Sequence, residues 1–299
     1  MMSTFSCVNC QSVTSEVFLN DCRDYYMGHP GSFSYVKCAG CGLVQISNIP
    51  DNLGSFYEAY QVHQVKGGFH DFMRRRIMAD AYLPLAAAPS GGRLLDFGCG
   101  DGWFLRNAIQ KRWDAVGFEI NPDYARALRE SAQLPVESDL DIIGQRYGAS
   151  FDFITLHFVF EHLSDPMGTI LSLAALLRPG GEIFITVPNI ASAEFRLFGK
   201  LWHGLDAPRH LSFFEEKHMS ALAQRAGLSL SNVRPVYVPN TLAGSLATIA
   251  QKRFSYGAFA ALIVPCFFLC RHRPSGNISF TLRKRVGPRS ILPPTSARP

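Results

Sequence analysis

Short apolar runs alternate with helix-like patterns through the middle of the chain. The apolar runs occupy residues 93–97, 115–119, 151–156 and 182–187, and helical spacing is found at 103–111, 122–132 and 167–177. Apolar runs of this kind are typical of parallel strands that are buried on both faces. Strands that alternate with helices are typical of βαβ units. The pattern predicts an α/β fold with a Rossmann-like, mostly parallel sheet, expected over residues 91–287.

The segments on either side of this alternation have different patterns. Residues 1–48 hold five of the eight cysteines, and their glycines favour turns and short strands over long helices. We expect a separate small module there, followed by a helical linker at 49–90. The strand–helix rhythm also breaks for about 25 residues after Pro188, where a long insertion is usually functional. Beyond it we expect a helix at about 215–226, a strand at 228–238, a helical stretch at 241–270, a last strand at 277–285 and a disordered tail at 288–299.

Composition and charge narrow the class of protein. The chain has 299 residues, of which 47% are hydrophobic, enough for one full-size domain with small accessories. The net charge of +5 is too small to indicate nucleic-acid binding by itself. No basic stretch followed by an apolar one begins the sequence, so we expect no secretory signal and a cytoplasmic location. Cysteine pairs in that compartment favour metal or redox sites over disulfides.

One apolar stretch complicates this interpretation. Residues 256–270 contain no charge, but 15 residues fall short of the roughly 20 that a bilayer span needs. Pro265 interrupts the stretch, and basic residues stand on both sides of it. We favour a buried core helix, with a helix lying at a membrane surface as the alternative.

A glycine-rich turn follows the first strand of the alternation. The sequence Leu94 to Phe104 reads LLDFGCGDGWF, and Gly98 and Gly100 let the backbone turn tightly against a ligand. A dinucleotide fingerprint starting at Gly98 would need glycine at 103, where Trp103 stands instead. Asp96 would repel phosphate at this position and could hold a cationic amino-acid group. The ligand is therefore expected to be cationic or zwitterionic.

Acidic residues follow the next two strands. Glu119 stands 21 residues after Gly98, where a carboxylate can accept hydrogen bonds from both ribose hydroxyls of a nucleoside. Asp139 follows the short third strand, at a position expected to meet the adenine edge. Together with Asp96, these positions suit a nucleoside that carries an amino acid.

These motifs resemble the class I S-adenosylmethionine-dependent methyltransferases over roughly residues 90–285. The segments FDFITLHFVFEHLSDP and LLRPGGEIFITVPN are similar to those of a group that methylates sugars or quinone precursors. The resemblance implies a seven-stranded sheet and an enzyme that binds S-adenosylmethionine. Cofactor contacts are implied for the residues at the strand ends and in the glycine turn: Asp96, Gly98, Cys99, Gly100, Glu119, Asp139 and His157.

Two CxxC pairs in the first module predict a zinc site. Cys7 and Cys10 form one pair and Cys38 and Cys41 the other, with 27 residues between the pairs. Four thiolates complete a tetrahedral shell, which suits a structural Zn²⁺ ion. A redox pair or unpaired structural cysteines are the alternatives, and neither explains two CxxC pairs in one module. Zinc ribbons also precede some sugar methyltransferases, so this feature is part of the resemblance.

The acceptor is expected to lie beyond the carboxyl ends of the fourth and fifth strands. His162 follows the fourth strand, and the segment 202–214 follows the fifth and resembles the DxPxHL stretch of the same group. Because histidine titrates near neutral pH, we favour His210 or His162 as the catalytic base, with Asp206 orienting it. A purely structural role is the alternative for each histidine.

Arg209 is a candidate partner for an acceptor phosphate. Trp202, Phe213 and Phe214 suit either the acceptor or the core.

Four functions are compatible with these residues. The favoured one is methyl transfer to a sugar hydroxyl or carbon on a nucleotide-linked or lipid-linked glycan. The alternative enzyme methylates a quinone precursor or another membrane-associated aromatic, with peripheral membrane contact through residues 256–270. A catalytically silent, methyltransferase-like interaction protein would not need the intact glycine turn and Glu119. A nucleic-acid partner is disfavoured because His157 to Phe160 lack the N/D-P-P-Y/F motif of base methyltransferases.

Overall fold

The chain is described here from a computed structural model. The structure describes residues 5–57, 74–82, 92–249, 252–270 and 276–286. Most of the predicted linker and the whole of the predicted disordered tail at 288–299 lie outside the described residues.

The larger of two sheets has seven strands and confirms the predicted α/β fold. Its strands are β4 (Arg93–Phe97), β5 (Asp114–Phe118), β6 (Val136–Glu137), β7 (Phe151–His157), β8 (Leu177–Pro188), β10 (Leu228–Pro235) and β11 (Asn277–Lys284). Their order in the sheet is β10-β11-β8-β7-β4-β5-β6, with only β11 antiparallel to its neighbours. The central strands β4 and β7 are apolar because helices cover the sheet on both faces.

Eight α-helices have both of their ends in the described part of the chain. They are α1 (Trp103–Gln110), α2 (Pro122–Ala132), α3 (Leu140–Tyr147), α4 (Pro166–Leu176), α5 (Ala193–Phe198), α6 (Glu216–Arg225), α7 (Asn240–Ile249) and α8 (Tyr256–Cys270). Helix α3 is not apparent from the sequence pattern, and Asp139 caps it by accepting a hydrogen bond from the Asp141 N–H. Strand β8 begins five residues before the predicted strand because Leu177 pairs with Phe151.

The smaller sheet combines the N-terminal module with a distant part of the chain. Its strands are β1 (Ser15–Cys22), β2 (Phe33–Cys38), β3 (Val44–Ile46) and β9 (Ser212–Phe213), in that order. Strand β9 belongs to the insertion after β8, and it pairs with β3 through Val44 and Phe213. The N-terminal module therefore completes its sheet with a strand from the insertion after β8.

Helix α8 differs from the favoured prediction of a buried core helix. Only Cys266 and Cys270 of this helix are buried. Phe268 and Leu269 are 62% and 63% exposed. Within the described ranges, no helix is both long enough and apolar enough to cross a membrane.

Candidate active site and cysteine centre

The glycine turn connects β4 to α1, and its glycines adopt the left-handed backbone conformation. The N–H groups of Gly98 and Cys99 both donate to the carbonyl of Phe118 at the end of β5. Gly98 has a φ of +74°, and a Cβ there would lie 2.5 Å from Cγ2 of Val159. Only glycine satisfies both constraints. Cys99 is buried, and its sulfur lies so close to Gly117 that position 117 has no room for a side chain.

Two carboxyl groups border this turn. Glu119 accepts a hydrogen bond from the Gly100 N–H at 3.1 Å and another from the Asn121 N–H at 3.2 Å, one on each oxygen. Asp96 is 3% exposed, and it accepts a hydrogen bond from the Thr155 hydroxyl at 2.9 Å. Burial raises the pKa of Asp96 to about 7. A buried carboxyl group with so little compensation is suited to a cationic ligand group.

The other two predicted cofactor residues occupy different surroundings. Asp139 is exposed at the end of β6, where it also caps α3. His157 ends β7 among aromatic rings, with the centroids of Phe104 and Tyr82 4.5 and 4.6 Å from its own. Burial lowers the pKa of His157 to about 3, so its ring is neutral. Their predicted role in cofactor binding stays a prediction.

Arg74 and Tyr82 lie against the glycine turn, and the sequence assigned neither of them a role. Arg74 donates hydrogen bonds to Asp101 at 2.5 Å and to the Tyr82 hydroxyl at 2.9 Å. Its guanidinium also lies 4.7 Å from the centroid of the Trp103 ring. The arginine-rich pattern near 74–76 was the only sequence signal, and it reads equally well as a solvated helix face.

The acceptor-side turn after β7 is packed directly onto the glycine turn. Val159, whose side chain occupies the space beside Gly98, accepts a hydrogen bond from the His162 N–H at 3.0 Å. The short 3₁₀ helix Phe160–His162 therefore places Glu161 and His162 next to the predicted cofactor site. One ligand atom of each of Glu161, His162 and His210 lies within 4.8 Å of the others.

The two histidines are each anchored through Nδ1. His210 Nδ1 lies 2.8 Å from the carbonyl oxygen of Gly204, and His162 Nδ1 lies 2.9 Å from that of Arg209. A carbonyl oxygen can only accept, so Nδ1 of His210 carries the proton and its Nε2 has a free lone pair. His162 Nδ1 also lies 3.1 Å from the Tyr57 hydroxyl, which can donate either to this nitrogen or to the Arg209 carbonyl. Burial lowers the pKa of His210 to about 3, which keeps the ring neutral.

Glu161 is a further candidate, to which the sequence assigned no role. It is fully buried, and neither carboxyl oxygen has a hydrogen-bond partner among the described residues. One oxygen lies 3.8 Å from Nε2 of His210. Burial raises the pKa of Glu161 to about 8, so it is protonated at neutral pH.

Asp206 does not orient His210 by a hydrogen bond, contrary to the prediction. It pairs with Arg209 at 2.6 Å and lies 3.9 Å from Nε2 of His210. The fixed guanidinium three residues away is the stronger partner, and it holds the pKa of Asp206 well below its usual range despite the opposing effect of burial. Asp206 therefore remains a negative charge near His210.

Arg209 is also placed differently from the prediction. Its side chain is completely buried and pairs with Asp24 of the N-terminal module at 2.7 and 2.9 Å. It is therefore not available to an acceptor phosphate. Trp202, Phe213 and Phe214 are each 1% exposed, so they belong to the core rather than to an acceptor surface.

The four predicted cysteine ligands come together. Sγ of Cys7 lies 3.6 Å from that of Cys41, and Sγ of Cys10 lies 3.5 Å from that of Cys38. Tetrahedral zinc with Zn–S bonds near 2.3 Å separates its sulfurs by about 3.8 Å, so the spacing fits this ion. Burial raises the pKa of the Cys38 thiol, but hydrogen bonds from the Cys41 N–H, the Cys10 thiol, the Gly40 N–H and the Cys7 thiol together outweigh burial and bring it to about 6.

The comparisons with known proteins agree with this geometry. A family model described as a methyltransferase domain matches residues 69–233, more than half of the chain. The chain therefore belongs to this family and is an S-adenosylmethionine-dependent methyltransferase, as its sheet and glycine turn indicate.

Two relatives carry the same name. A ubiquinone biosynthesis O-methyltransferase of Xanthomonas axonopodis pv. citri is 28% identical over 165 residues, or 51% of this chain and 69% of that protein. The one from Xanthomonas campestris pv. campestris is 31% identical over 39% of this chain and 51% of its own length. A solved structure of 1,6-didemethyltoxoflavin-N1-methyltransferase from Burkholderia thailandensis is 15% identical, with a TM-score of 0.48, and covers 88% of this chain and 99% of that one.

Proposed function

We propose that this methyltransferase methylates a hydroxyl group of an aromatic acceptor, with His210 as the general base. The observation that carries the proposal is the cluster of His210, Glu161 and His162 in the turn packed against Gly98. A hydroxyl acceptor needs a group that takes its proton, and the neutral imidazole of His210 has a free Nε2 lone pair to take it.

Asp96 and Glu119 are the residues proposed to hold S-adenosylmethionine. The cofactor supplies an electrophilic methyl group on a sulfonium sulfur. Each oxygen of Glu119 accepts a single backbone hydrogen bond and retains a lone pair for a ribose hydroxyl. The Asp96 carboxyl group suits the ammonium group of the methionyl part. Gly98 and Gly100 leave the space between these ends free of Cβ atoms.

His210 is proposed to accept the proton at Nε2. Its Nδ1–H is held by the Gly204 carbonyl, which fixes the ring and directs the Nε2 lone pair. The hydroxyl proton moves to Nε2, and the negative charge of Asp206, 3.9 Å away, stabilises the resulting imidazolium ion. The hydroxyl oxygen then carries the electron pair that would form the new O–CH₃ bond as the bond between the methyl group and the sulfonium sulfur breaks, with S-adenosylhomocysteine as the leaving group.

The aromatic acceptor is proposed in preference to the sugar that the sequence motifs favoured. The relatives are named ubiquinone biosynthesis O-methyltransferases, a name that supports an aromatic hydroxyl. No comparison supports a sugar. The direct test is a methyl-transfer assay with radiolabelled S-adenosylmethionine on alkyl-substituted catechols and on nucleotide sugars. Methylation of the catechols is expected, and methylation of the sugars alone would overturn the proposal.

The base is tested separately. His210→Ala is expected to lower kcat at least 100-fold, while the affinity for S-adenosylhomocysteine stays within twofold of wild type. Glu119→Ala is the converse variant, because it should lower the affinity for S-adenosylhomocysteine at least tenfold. Added imidazole should restore part of the His210→Ala activity. Retained turnover in His210→Ala would make this histidine a structural brace.

The four cysteines are proposed to bind one structural Zn²⁺ ion. The sulfur spacing supports this assignment, and four thiolates leave no open position for catalysis. Elemental analysis of the purified chain should give one zinc per molecule. Cys10→Ser should lose the metal, whereas Cys22→Ser should keep it because Cys22 lies outside the cluster.

A further inference from the structure

Helices α7 and α8 form an apolar hairpin that no other part of the described chain covers. The exposed positions of α8 recur in pairs every four residues, which places them on one face of the helix. They are Tyr256, Gly257, Ala260, Ala261, Val264, Pro265, Phe268 and Leu269. The exposed positions of α7 are Leu246 and Ile249. Not one of these ten positions carries a charge.

A solvent-facing helix surface of this composition requires a partner. Surface helices place polar residues on the face away from the core. In α8 both faces are apolar, and Phe268 and Leu269 are more than 60% exposed. Contiguous exposed apolar patches mark interaction or membrane sites.

Charges at the ends of the hairpin distinguish between the possible partners. Lys252 and Arg253 are exposed in the turn between α7 and α8. In the sequence, Arg271 and Arg273 follow the other end of α8. A second copy of this chain packed on α8 would bring basic groups together in either orientation. An anionic lipid surface instead offers apolar chains to the helix face and negative headgroups to both ends.

The length of α8 fits a helix that lies in the plane of the membrane. Its 15 residues extend about 22 Å, whereas the hydrocarbon core is about 30 Å thick. Tyr256 is half exposed at the first position of the helix, where its hydroxyl can stay at the headgroup level. We infer that the α7–α8 hairpin docks this protein on the surface of an anionic bilayer, with the exposed face of α8 inserted below the headgroups.

The docking surface is joined to the acceptor side of the enzyme. Gly244 of α7 packs against the ring of His203, and the Ser245 hydroxyl oxygen lies 2.9 Å from the His203 backbone nitrogen. The adjacent Gly204 carbonyl is the group that anchors His210. If the proposed function holds, the hairpin brings the site of methyl transfer close to an acceptor dissolved in the membrane. The docking itself does not depend on that function.

Sedimentation with vesicles tests the docking. The full-length protein is mixed with vesicles of phosphatidylglycerol and phosphatidylcholine, and with phosphatidylcholine alone. Binding to the anionic vesicles is expected. Phe268→Asp combined with Leu269→Asp should abolish it, and Lys252→Gln combined with Arg253→Gln should weaken it about 30-fold, from the loss of two favourable charges near the surface.

Matched controls separate docking from folding and from activity. Ile142→Asp with Leu171→Asp alters two apolar helix positions that are 40% and 48% exposed elsewhere, and binding should be unchanged. All variants should keep the wild-type far-UV circular dichroism and affinity for S-adenosylhomocysteine. Equal sedimentation of wild type and the Phe268/Leu269 variant would overturn the inference. A dimer that this variant disrupts, without vesicle binding by wild type, would assign the face to a second copy and overturn it as well.

Discussion

Arg209 joins three separate parts of the chain, so its removal should destabilise the protein strongly. The guanidinium donates to Asp24 at 2.7 and 2.9 Å, to Asp206 at 2.6 Å and to the Phe56 carbonyl at 3.3 Å. Arg209→Met preserves the length of the side chain and removes all these bonds. The buried carboxylates of Asp24 and Asp206 then lack their main counter-charge.

The expected loss is about 3–5 kcal/mol of unfolding free energy near pH 8, the range measured when one partner of a buried ion pair is removed. Urea unfolding followed by far-UV circular dichroism measures it. Arg126→Met is the matched control, because its ion pair with Asp123 is exposed, and we expect a change below about 0.5 kcal/mol.

The loss should also depend on pH in a defined direction. In the wild type, Arg209 lowers the pKa of Asp24 and Asp206, so their stabilising effect is present above the ordinary carboxyl pKa and lost below it. Without Arg209, burial raises both pKa values, and the penalty is present above the raised values. The difference between the two proteins should therefore shrink as the pH falls from 8 to 5.

A change below about 1 kcal/mol, or one that is independent of pH, would refute this account of the network. If Arg209→Met does not fold, Asp24→Asn tests the same reasoning with a smaller perturbation. It leaves the pair between Arg209 and Asp206 in place. A loss of roughly 2 kcal/mol is expected for the charged hydrogen bonds that it weakens.

Three further predictions concern the cofactor site and the cysteine centre. Because burial raises the pKa of Asp96 to about 7, calorimetric affinity for S-adenosylhomocysteine should increase about tenfold from pH 6 to pH 8, and Asp96→Asn should remove this dependence. Gly98→Ala places a Cβ 2.5 Å from Val159 and should weaken the same binding at least tenfold, whereas Gly54→Ala, with open space around it, should not. Removal of the metal by a chelator should lower the Tm, and unchanged melting would contradict a structural ion.

The sequence was sufficient to predict those features that depend on residues close together in the chain. The glycine turn, the two CxxC pairs and the strand–helix alternation each depend on residues close together in the chain. Their spacing follows from backbone geometry, so the fold and the grouping of Cys7, Cys10, Cys38 and Cys41 could be predicted. The bounds of α1 and α2 differ from the predicted ones by at most one residue.

Contacts between distant residues could not be predicted in the same way. Asp24 and Arg209 are separated by 185 positions, and no pattern in either segment indicates that they pair. For this reason Arg209 resembled a free phosphate ligand in the sequence. The burial of α8 was likewise inferred from the length of the uncharged stretch, from Pro265 and from the basic flanks, and these features do not show which partner covers the helix.

The same long-range contacts explain why a cysteine module accompanies this enzyme. The turn that presents His210 has irregular backbone, and such a segment needs partners for its polar groups. Tyr35 of β2 donates its hydroxyl to the His210 carbonyl at 3.0 Å, and β9 extends the module's sheet two residues later. Asp24 neutralises Arg209 from the same side. The module therefore packs against the segment that carries His210, and we expect the metal to stabilise the position of His210 as well as the module.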